Sequence, residues 1–529
     1  MSRWWDLGRR GRLEKSIAPP AIGTSRRTVL LVLRSGLVVA GLSALLNILV
    51  LPFVLQEVSI DVYGQWATLA AVVAVLQLVD AGISTDIARQ VADAHGRGRP
   101  GEVQEVVQRG LTVLTMLGAF VVALAIIAAQ PILSLLFPDI PGGQRTTIVA
   151  VYFGSVLLLG VGLALSGYVA ALGGLQRADY NAWGNLAGLL VGTVATVVAA
   201  GLGLGLWALF AGACGRSIVG WTVPLLGLRH IRPDLRFRFR RVGAREALSY
   251  FGAPSLLVLA SASYFVQYQI DKFVLAHFRG ADDAGLYQLA LNFVLQGQAL
   301  ALIPLGVLLA ATAELYGSDR ERLNRVEHGA SSMALCIAAV VFGGLIVVSD
   351  SFYRVWLGPG YEVSAYATQM LAAAALVGLV AAPWYYYMLG RGLYRYTLVG
   401  ALSNLVVNLS CSVLLTPRLG ITGALIGTLA GNTVALVASW LLLRRIERRE
   451  WITPALRPYT AVALVAAAAI VAQQFWAPQS WGGLIFVGAL FVVSAGGALL
   501  IAGASPITLE RHGRRVSIVF EGAARQRWA

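Results

Sequence analysis

Stretches apolar and long enough to cross a bilayer follow one another along almost all of this 529-residue chain. They are centred near residues 43, 73, 119, 159, 194, 216, 260, 296, 340, 377, 407, 432, 466 and 492. A hydrocarbon core about 30 Å thick takes about 20 helical residues per crossing. It holds no water to satisfy backbone N–H and C=O groups, so only helices and closed barrels span it. Runs of this length read as helices, and the expected fold is all-α: a polytopic membrane protein of about 14 transmembrane helices. A mean hydropathy of +0.72 and a charged fraction of 13% agree, since soluble domains carry about a quarter charged residues.

The cations orient the chain. Of the 41 Lys and Arg residues, 34 fall in one alternating set of loops and ends, while the other set holds only Arg145, Lys272, Arg279, Arg354 and Arg418. Short Arg-rich loops stay cytoplasmic, which predicts both termini in the cytosol and an even number of spans. The same asymmetry accounts for the formal charge of +15 without a nucleic-acid partner. The run from Arg229 to Arg245 reads as a basic linker between two halves, or as a contact for anionic lipid headgroups. Trp4, Trp5 and the basic residues after them suit an uncleaved interfacial segment. Cys214, Cys336 and Cys411 all lie within apolar spans, as small packing residues would.

Short patterns recur between the halves at offsets of 216 to 221 residues: Gly174-Leu175-Gln176-Arg177 with Gly392-Leu393-Tyr394-Arg395, Gly64-Gln65-Trp66 with Gly285-Leu286-Tyr287, and Ala208-Leu209 and Gly215 with Ala424-Leu425 and Gly431. Matches in the same topological positions read as an internal repeat. Six spans per half is an even number, which predicts two six-helix bundles related by a pseudo-two-fold along the membrane normal. The expected division is a cytoplasmic segment (1–28), a first bundle (29–228), a basic linker (229–246), a second bundle (247–443), spans 13 and 14 (444–503) and a cytoplasmic tail (504–529). Loops on the side opposite the cations are short, the longest lying around Ser349 to Ser364. That counts against a membrane glycosyltransferase or ligase, which would need room for catalytic residues.

Catalytic constellations are missing. The two lysines, Lys15 and Lys272, follow no phosphate-cradling loop, and the five histidines lack paired ligand spacing, so neither a nucleotide nor a metal site is expected. No enzyme activity and no cofactor are expected. What stands out is polarity at membrane depth. Arg216 lies near the middle of span 6, where a guanidinium costs about 2.5 to 3.5 kcal/mol and should face protein or water. Arg34 in span 1 is a weaker case, because it can snorkel to the interface. Tyr264, Gln267 and Asp271 fall on one stripe of span 7, either a sugar-facing wall or an interfacial belt. Asn292, Gln296 and Gln298 in span 8, with Asn404, Asn408 and Asn432 in spans 11 and 12, read as cavity contacts or as amides that hold helices together. Asp86 and Arg89 are spaced to pair locally at the end of span 2. Asp80, deeper in the same span, is a candidate proton or gate carboxylate.

Tyr63-Gly64-Gln65-Trp66 through Leu78-Val79-Asp80-Ala81-Gly82-Ile83 to Ala88-Arg89, the Gly-Leu-Gln-Arg before span 5, and the run from Asp271 through Gly285-Leu286-Tyr287 to Ala290 resemble the polysaccharide-biosynthesis flippases. These belong to the multidrug/oligosaccharidyl-lipid/polysaccharide exporter superfamily, and the resemblance covers most of residues 30 to 445. It implies an alternating-access carrier in the bacterial inner membrane, moving a polyprenyl-pyrophosphate-linked glycan for O-antigen, capsule or exopolysaccharide. Membrane lipids, and the glycan polymerase and glycosyltransferases of the same pathway, are the implied partners. Fourteen spans match this family and the lipid II flippases, whereas drug exporters of the superfamily usually have twelve. Cationic cavities are a theme of the family, which raises Arg34 and Arg216 as pyrophosphate-facing residues. A cation-coupled drug antiporter of the same superfamily is the alternative.

Overall fold

The computed structural model describes residues 48–138, 142–235, 255–447, 452–475, 478–503, 507–512 and 515–520, with a few isolated positions besides. Its first half comprises α1 (Ile48–Val58), α2 (Ile60–Gln77), a 3-10 turn at Leu78–Asp80, α3 (Ala81–Gly96), α4 (Pro100–Ile127), α5 (Ala129–Leu136), α6 (Gly142–Gly174), α7 (Ala178–Gly201) and α8 (Leu206–Ile231). The second half comprises α9 (Ser255–Arg279), α10 (Ala281–Leu315), α11 (Arg320–Trp356), α12 (Glu362–Gly390), α13 (Tyr394–Leu419), α14 (Ile421–Glu447), α15 (Ile452–Phe475) and α16 (Trp481–Ile501). Among the described residues, eleven helices are long and apolar enough to cross a membrane, with α2 to α3 counted as one. Of the other four helices, α9 and α15 cover the expected positions near 260 and 466, α1 lies just after the one near 43, and α5 is short; the chain is a multi-pass membrane protein with an all-α membrane part.

Three details depart from expectation. Helix α11 runs through Ser349 to Trp356, so the loop expected around Ser349 to Ser364 shrinks to residues 357–361. Lys272, counted with the loop cations, lies inside α9 and is buried. The tail carries a hairpin in which β1 (Ile507–His512) pairs antiparallel with β2 (Arg515–Phe520), Ile507 facing Phe520 and His512 facing Arg515.

Contacts divide the chain into two units. The first holds the described residues up to Ser59, Val72–Leu135 and Ile140–Ser255; the second holds Ile60–Ala71, Leu136–Asp139 and the residues from Leu256 onward. In the first, Ile83, Ile87, Val107, Leu114 and Leu172 form a core between α3, α4 and α6. Helices α7 and α8 meet along glycines: a methyl at Gly188 would lie 2.5 Å from Arg216 O, and one at Gly192 would lie 2.7 Å from Gly212 O. Small residues permit such backbone approach where lipid supplies no hydrophobic drive. In the second unit, Leu275, Tyr287, Leu291, Leu371 and Leu425 join α9, α10, α12 and α14. Helices α15 and α16 dock on α11, where Val462 and Phe491 close over Gly343.

The repeat is visible inside each unit. A methyl at Gly174 would sit 2.5 Å from Ala88 O and 2.8 Å from Val91 Cβ. At Gly390 it would sit 2.9 Å from Leu309 O and 2.7 Å from Thr312 Cβ, the same contacts displaced by 216 and 221 residues. Positive φ values recur at Ser59 and Gly280, and at Gln176 and Gly392. The second pair corrects the register of one sequence match. Gly174-Leu175-Gln176-Arg177 corresponds to Gly390-Arg391-Gly392-Leu393, because Gln176 and Gly392 donate to carbonyls three residues back while Arg177 and Leu393 reach five back.

Candidate functional site

The second unit buries a carboxylate within its helix packing. Asp271 of α9 is fully inaccessible. Its Oδ2 accepts from Thr428 Oγ1 of α14 at 2.6 Å, from Tyr287 Oη of α10 at 2.9 Å and from Asn408 Nδ2 of α13 at 3.4 Å. Its Oδ1 accepts from Ser412 Oγ of α13 at 2.8 Å. One side chain thus ties four helices, and four donors match the roughly four lone-pair positions of a carboxylate. Small residues make the approach possible: a methyl at Gly427 would lie 2.9 Å from Asn408 O, and one at Gly431 would lie 2.6 Å from Asn404 Oδ1.

Around this centre runs a second layer of amides. Asn404 Nδ2 donates to Asn432 Oδ1 at 2.8 Å, and Asn432 Nδ2 donates to Ala374 O of α12 at 2.8 Å. Gln298 Nε2 donates to Tyr268 Oη at 2.7 Å. Oxygen acceptors are in surplus. Gln267 Oε1, Gln269 Oε1, Asn404 Oδ1 and Asn408 Oδ1 are buried with no hydrogen-bond partner in the structure, each at a desolvation cost of about 1–3 kcal/mol. Among the described residues no group of three His, Cys, Asp or Glu side chains could hold a metal, so the chemistry is that of a single carboxylate with neutral oxygens.

Beside the acid stands a buried cation. Lys272 is 5% exposed, and its Nζ donates to Gln288 Oε1 of α10 at 2.8 Å. No carboxylate pairs with it among the described residues. Gln288 Nε2 donates to Asn292 Oδ1 at 2.6 Å, and Asn292 Nδ2 donates to Tyr63 Oη of α2 at 3.1 Å. Adjacent residues of α9 therefore grip adjacent residues of α10, Asp271 with Tyr287 and Lys272 with Gln288.

The sequence-derived residues fall in different places. Asp271 and Gln267 lie inside the packing, so the stripe expected as a sugar-facing wall is at these two positions a helix interior. Asn292 and Gln296 are half-buried on α10. Arg34 and the Tyr264 side chain lie outside the described residues. In the first unit, Asp80 sits in the 3-10 turn and accepts from Ser84 Oγ at 2.6 Å, while Ser84 Oγ lies 3.4 Å from Ser166 Oγ of α6. Asp86 and Arg89 pair locally, with Arg89 Nη2 2.7 Å from Asp86 Oδ1 and Gln90 Nε2 donating to Oδ2 at 2.7 Å. At an exposed site such a pair is worth at most about 1 kcal/mol. Arg216 is exposed on α8, near the middle of the helix. The network of Asp271 with Asn408, Ser412, Thr428 and Tyr287 was not read from sequence as a unit, nor was the path from Lys272 to Tyr63.

Apolar helices in repeated halves, a buried acid and a buried cation describe a multi-pass membrane protein of transporter fold. Among solved structures, the lipid II flippase MurJ in an inward closed conformation aligns with a TM-score of 0.65 at 12% identity, over 88% of this chain and 99% of that one. An inward-facing multidrug-resistance transporter of the MATE family aligns at 0.57 and 17% identity, over 76% and 97%. A transporter of the MOP superfamily from Pyrococcus furiosus aligns at 0.53 and 16% identity, over 78% and 92%. At such identities the likeness establishes the fold. The family model for polysaccharide biosynthesis proteins matches residues 35–315, more than half of the chain, and the chain belongs to that family. A search of curated proteins returns no match.

Proposed function

We propose that this chain is a flippase that carries a polyprenyl-pyrophosphate-linked oligosaccharide across the bacterial inner membrane, for O-antigen, capsule or exopolysaccharide synthesis, by alternating access. Family membership supports the substrate class. The observation that carries the reading is the pair Asp271 and Lys272, withdrawn from solvent on one membrane helix, the acid ringed by four donors and the cation held by a neutral amide. Charges at membrane depth are expensive, and their retention points to transport chemistry. In this reading Asp271 takes up a proton or a monovalent cation and sets the direction of transport. Arg216, together with Arg34, supplies positive charge for the pyrophosphate, to which a guanidinium donates paired hydrogen bonds. The apolar groove of about 500 Å³ between α15 and α16, lined by Leu464, Ala468, Phe486 and Leu490 among others, suits an apolar chain.

The drug-antiporter alternative has one observation in its favour, a single buried carboxylate in a fold shared with drug exporters. Arg216 and Lys272 argue against it for cationic drugs. Asp80 and the surface pair of Asp86 and Arg89 stay as gate candidates in the first unit.

Two measurements test the reading. In cells lacking the protein, the lipid-linked glycan should become inaccessible to reagents applied from outside; unchanged labelling would remove the transport role. Arg216→Ala should lower flux by about tenfold, the loss expected from one charge-assisted contact of about 1.5 kcal/mol. Arg216→Lys should recover part of it, with membrane insertion unaffected. Full flux in Arg216→Ala would exclude that contact.

A further inference from the structure

Helices α2 and α10, equivalent elements of the two halves, cross at equivalent glycines. A methyl at Gly285 would lie 2.8 Å from Ile60 O and 3.2 Å from Gly64 Cα, and a methyl at Gly64 would collide with Ala281 O. Ile60 and Ala281 are themselves 221 residues apart, as are Gly64 and Gly285. The contact is thus reciprocal: each glycine meets the carbonyl that its counterpart's own helix carries four residues earlier. Dispersion favours such a crossing, and Asp61 and Asp282 stand at the same ends of the two helices.

We propose that Lys272, Gln288, Asn292 and Tyr63 form a strap that keeps the crossing of α2 and α10 closed and ties it to the turn of α9 that bears Asp271. The four are positioning residues, and the proposal rests on the alternating-access reading, in which the arginine-poor ends of these helices must part to open outward. The geometry is directional. Lysine donates to the Gln288 carbonyl oxygen, the Gln288 amide donates to the Asn292 carbonyl oxygen, and the Asn292 amide donates to the Tyr63 hydroxyl, at 2.8, 2.6 and 3.1 Å. Head-to-tail donors polarise one another, so a break at any link weakens the rest. Tyr63 immediately precedes Gly64, and Gln288 lies one turn beyond Gly285, so the strap reaches each helix beside the crossing. Tyr287, next to Gln288, donates to Asp271. A change in what Asp271 binds therefore alters the hold of α9 on α10 at the residue beside the strap.

The test uses the full-length protein in membranes, with Cys214, Cys336 and Cys411 replaced by Ala and the buried Ala67, one turn beyond Gly64, replaced by Cys as reporter. A membrane-impermeant maleimide is applied from outside without any substrate. Tyr63→Phe, which keeps the ring, and Asn292→Leu should each raise the labelling rate by about fivefold, as expected for loss of one hydrogen bond. The double variant should label no faster than the better single one, because both cut the same path. Tyr353→Phe removes another buried phenol hydrogen bond, the one between Tyr353 Oη and Thr368 Oγ1, and should leave the rate unchanged. Wild-type rates in Tyr63→Phe, or an equal rise in Tyr353→Phe, would overturn the strap. If Asn292→Leu does not fold, Tyr63→Phe with its control decides alone. Because no substrate is present, a wrong assignment of the glycan would leave these rates untouched, and a failed strap would leave the glycan assignment standing.

Discussion

Asp271→Asn is expected to yield a folded, membrane-inserted protein that transports at less than about a tenth of the normal rate, a coupling loss of at least about 1.4 kcal/mol. The asparagine amide has the shape of the carboxylate and still accepts through its oxygen. Thr428, Ser412 and Tyr287 donate through hydroxyls that can rotate to accept from the new amide. What is lost is the negative charge, and with it the ability to take up a proton or cation. Asp271→Leu should behave differently, because it leaves the buried Ser412 and Tyr287 hydroxyls without their acceptor at about 1–3 kcal/mol each, while Thr428 and Asn408 keep Ala424 O and Thr428 Oγ1. Its expression and melting temperature should fall along with flux. Thermal melting of the purified variants, set beside a flux measurement, separates the two: wild-type transport by a well-folded Asp271→Asn protein would rule out this carboxylate as the coupling group.

Gly285→Leu is expected to have the second large effect, by closing off the α2/α10 crossing. The first carbon of a new side chain would already sit 2.8 Å from Ile60 O and 3.2 Å from Gly64 Cα. Both obstacles are backbone, which cannot swing aside as a flexible side chain would, and overpacking of this kind costs about 1–3 kcal/mol or more. The helices must separate at these ends, so the Ala67→Cys reporter should label rapidly and flux should stop. Gly306→Leu lies on the same helix with nothing within 4 Å of its added carbon, and it should retain transport. If the Gly285 variant folds and transports normally, the close crossing has no part in the cycle.

Much of the architecture was legible before any coordinates. Hydrophobic runs placed the helices because a bilayer admits few alternatives, and the spacing of Asp86 and Arg89 fixed their local pair. The repeat was visible too, although a Gly-Leu motif drew one match two residues out of register. The left-handed backbone at Gln176 and Gly392 and the matching turn hydrogen bonds show which residues correspond. The polar centre was harder to see. Asn404, Asn408 and Asn432 each look like ordinary amides between helices, Ser412 and Thr428 attract no notice in a helix, and their convergence on Asp271 depends on how four helices pack. Lys272 reads in sequence as one of the outer-side cations, towards the outer end of span 7, and its burial beside Asp271 depends on the packing of α10. A signal was nevertheless present. At an offset of 216, Asn404, Asn408, Ser412, Thr428 and Asn432 stand where the first half has Gly188, Gly192, Thr196, Gly212 and Arg216. At three of these five positions glycine in one copy stands against Asn or Thr in the other, which marks a place where the two copies have diverged.

That divergence reaches the acid itself. At the offset of 221 that relates the turn at Ser59 to the turn at Gly280, the counterparts of Asp271 and Lys272 are Val50 and Leu51. Among the described residues, the acid and the cation beside it therefore belong to the second half alone, where symmetry would have allowed one of each in both. If Asp271 is the coupling group proposed above, each cycle carries one charge change at this position, and its twofold mate cannot add a second.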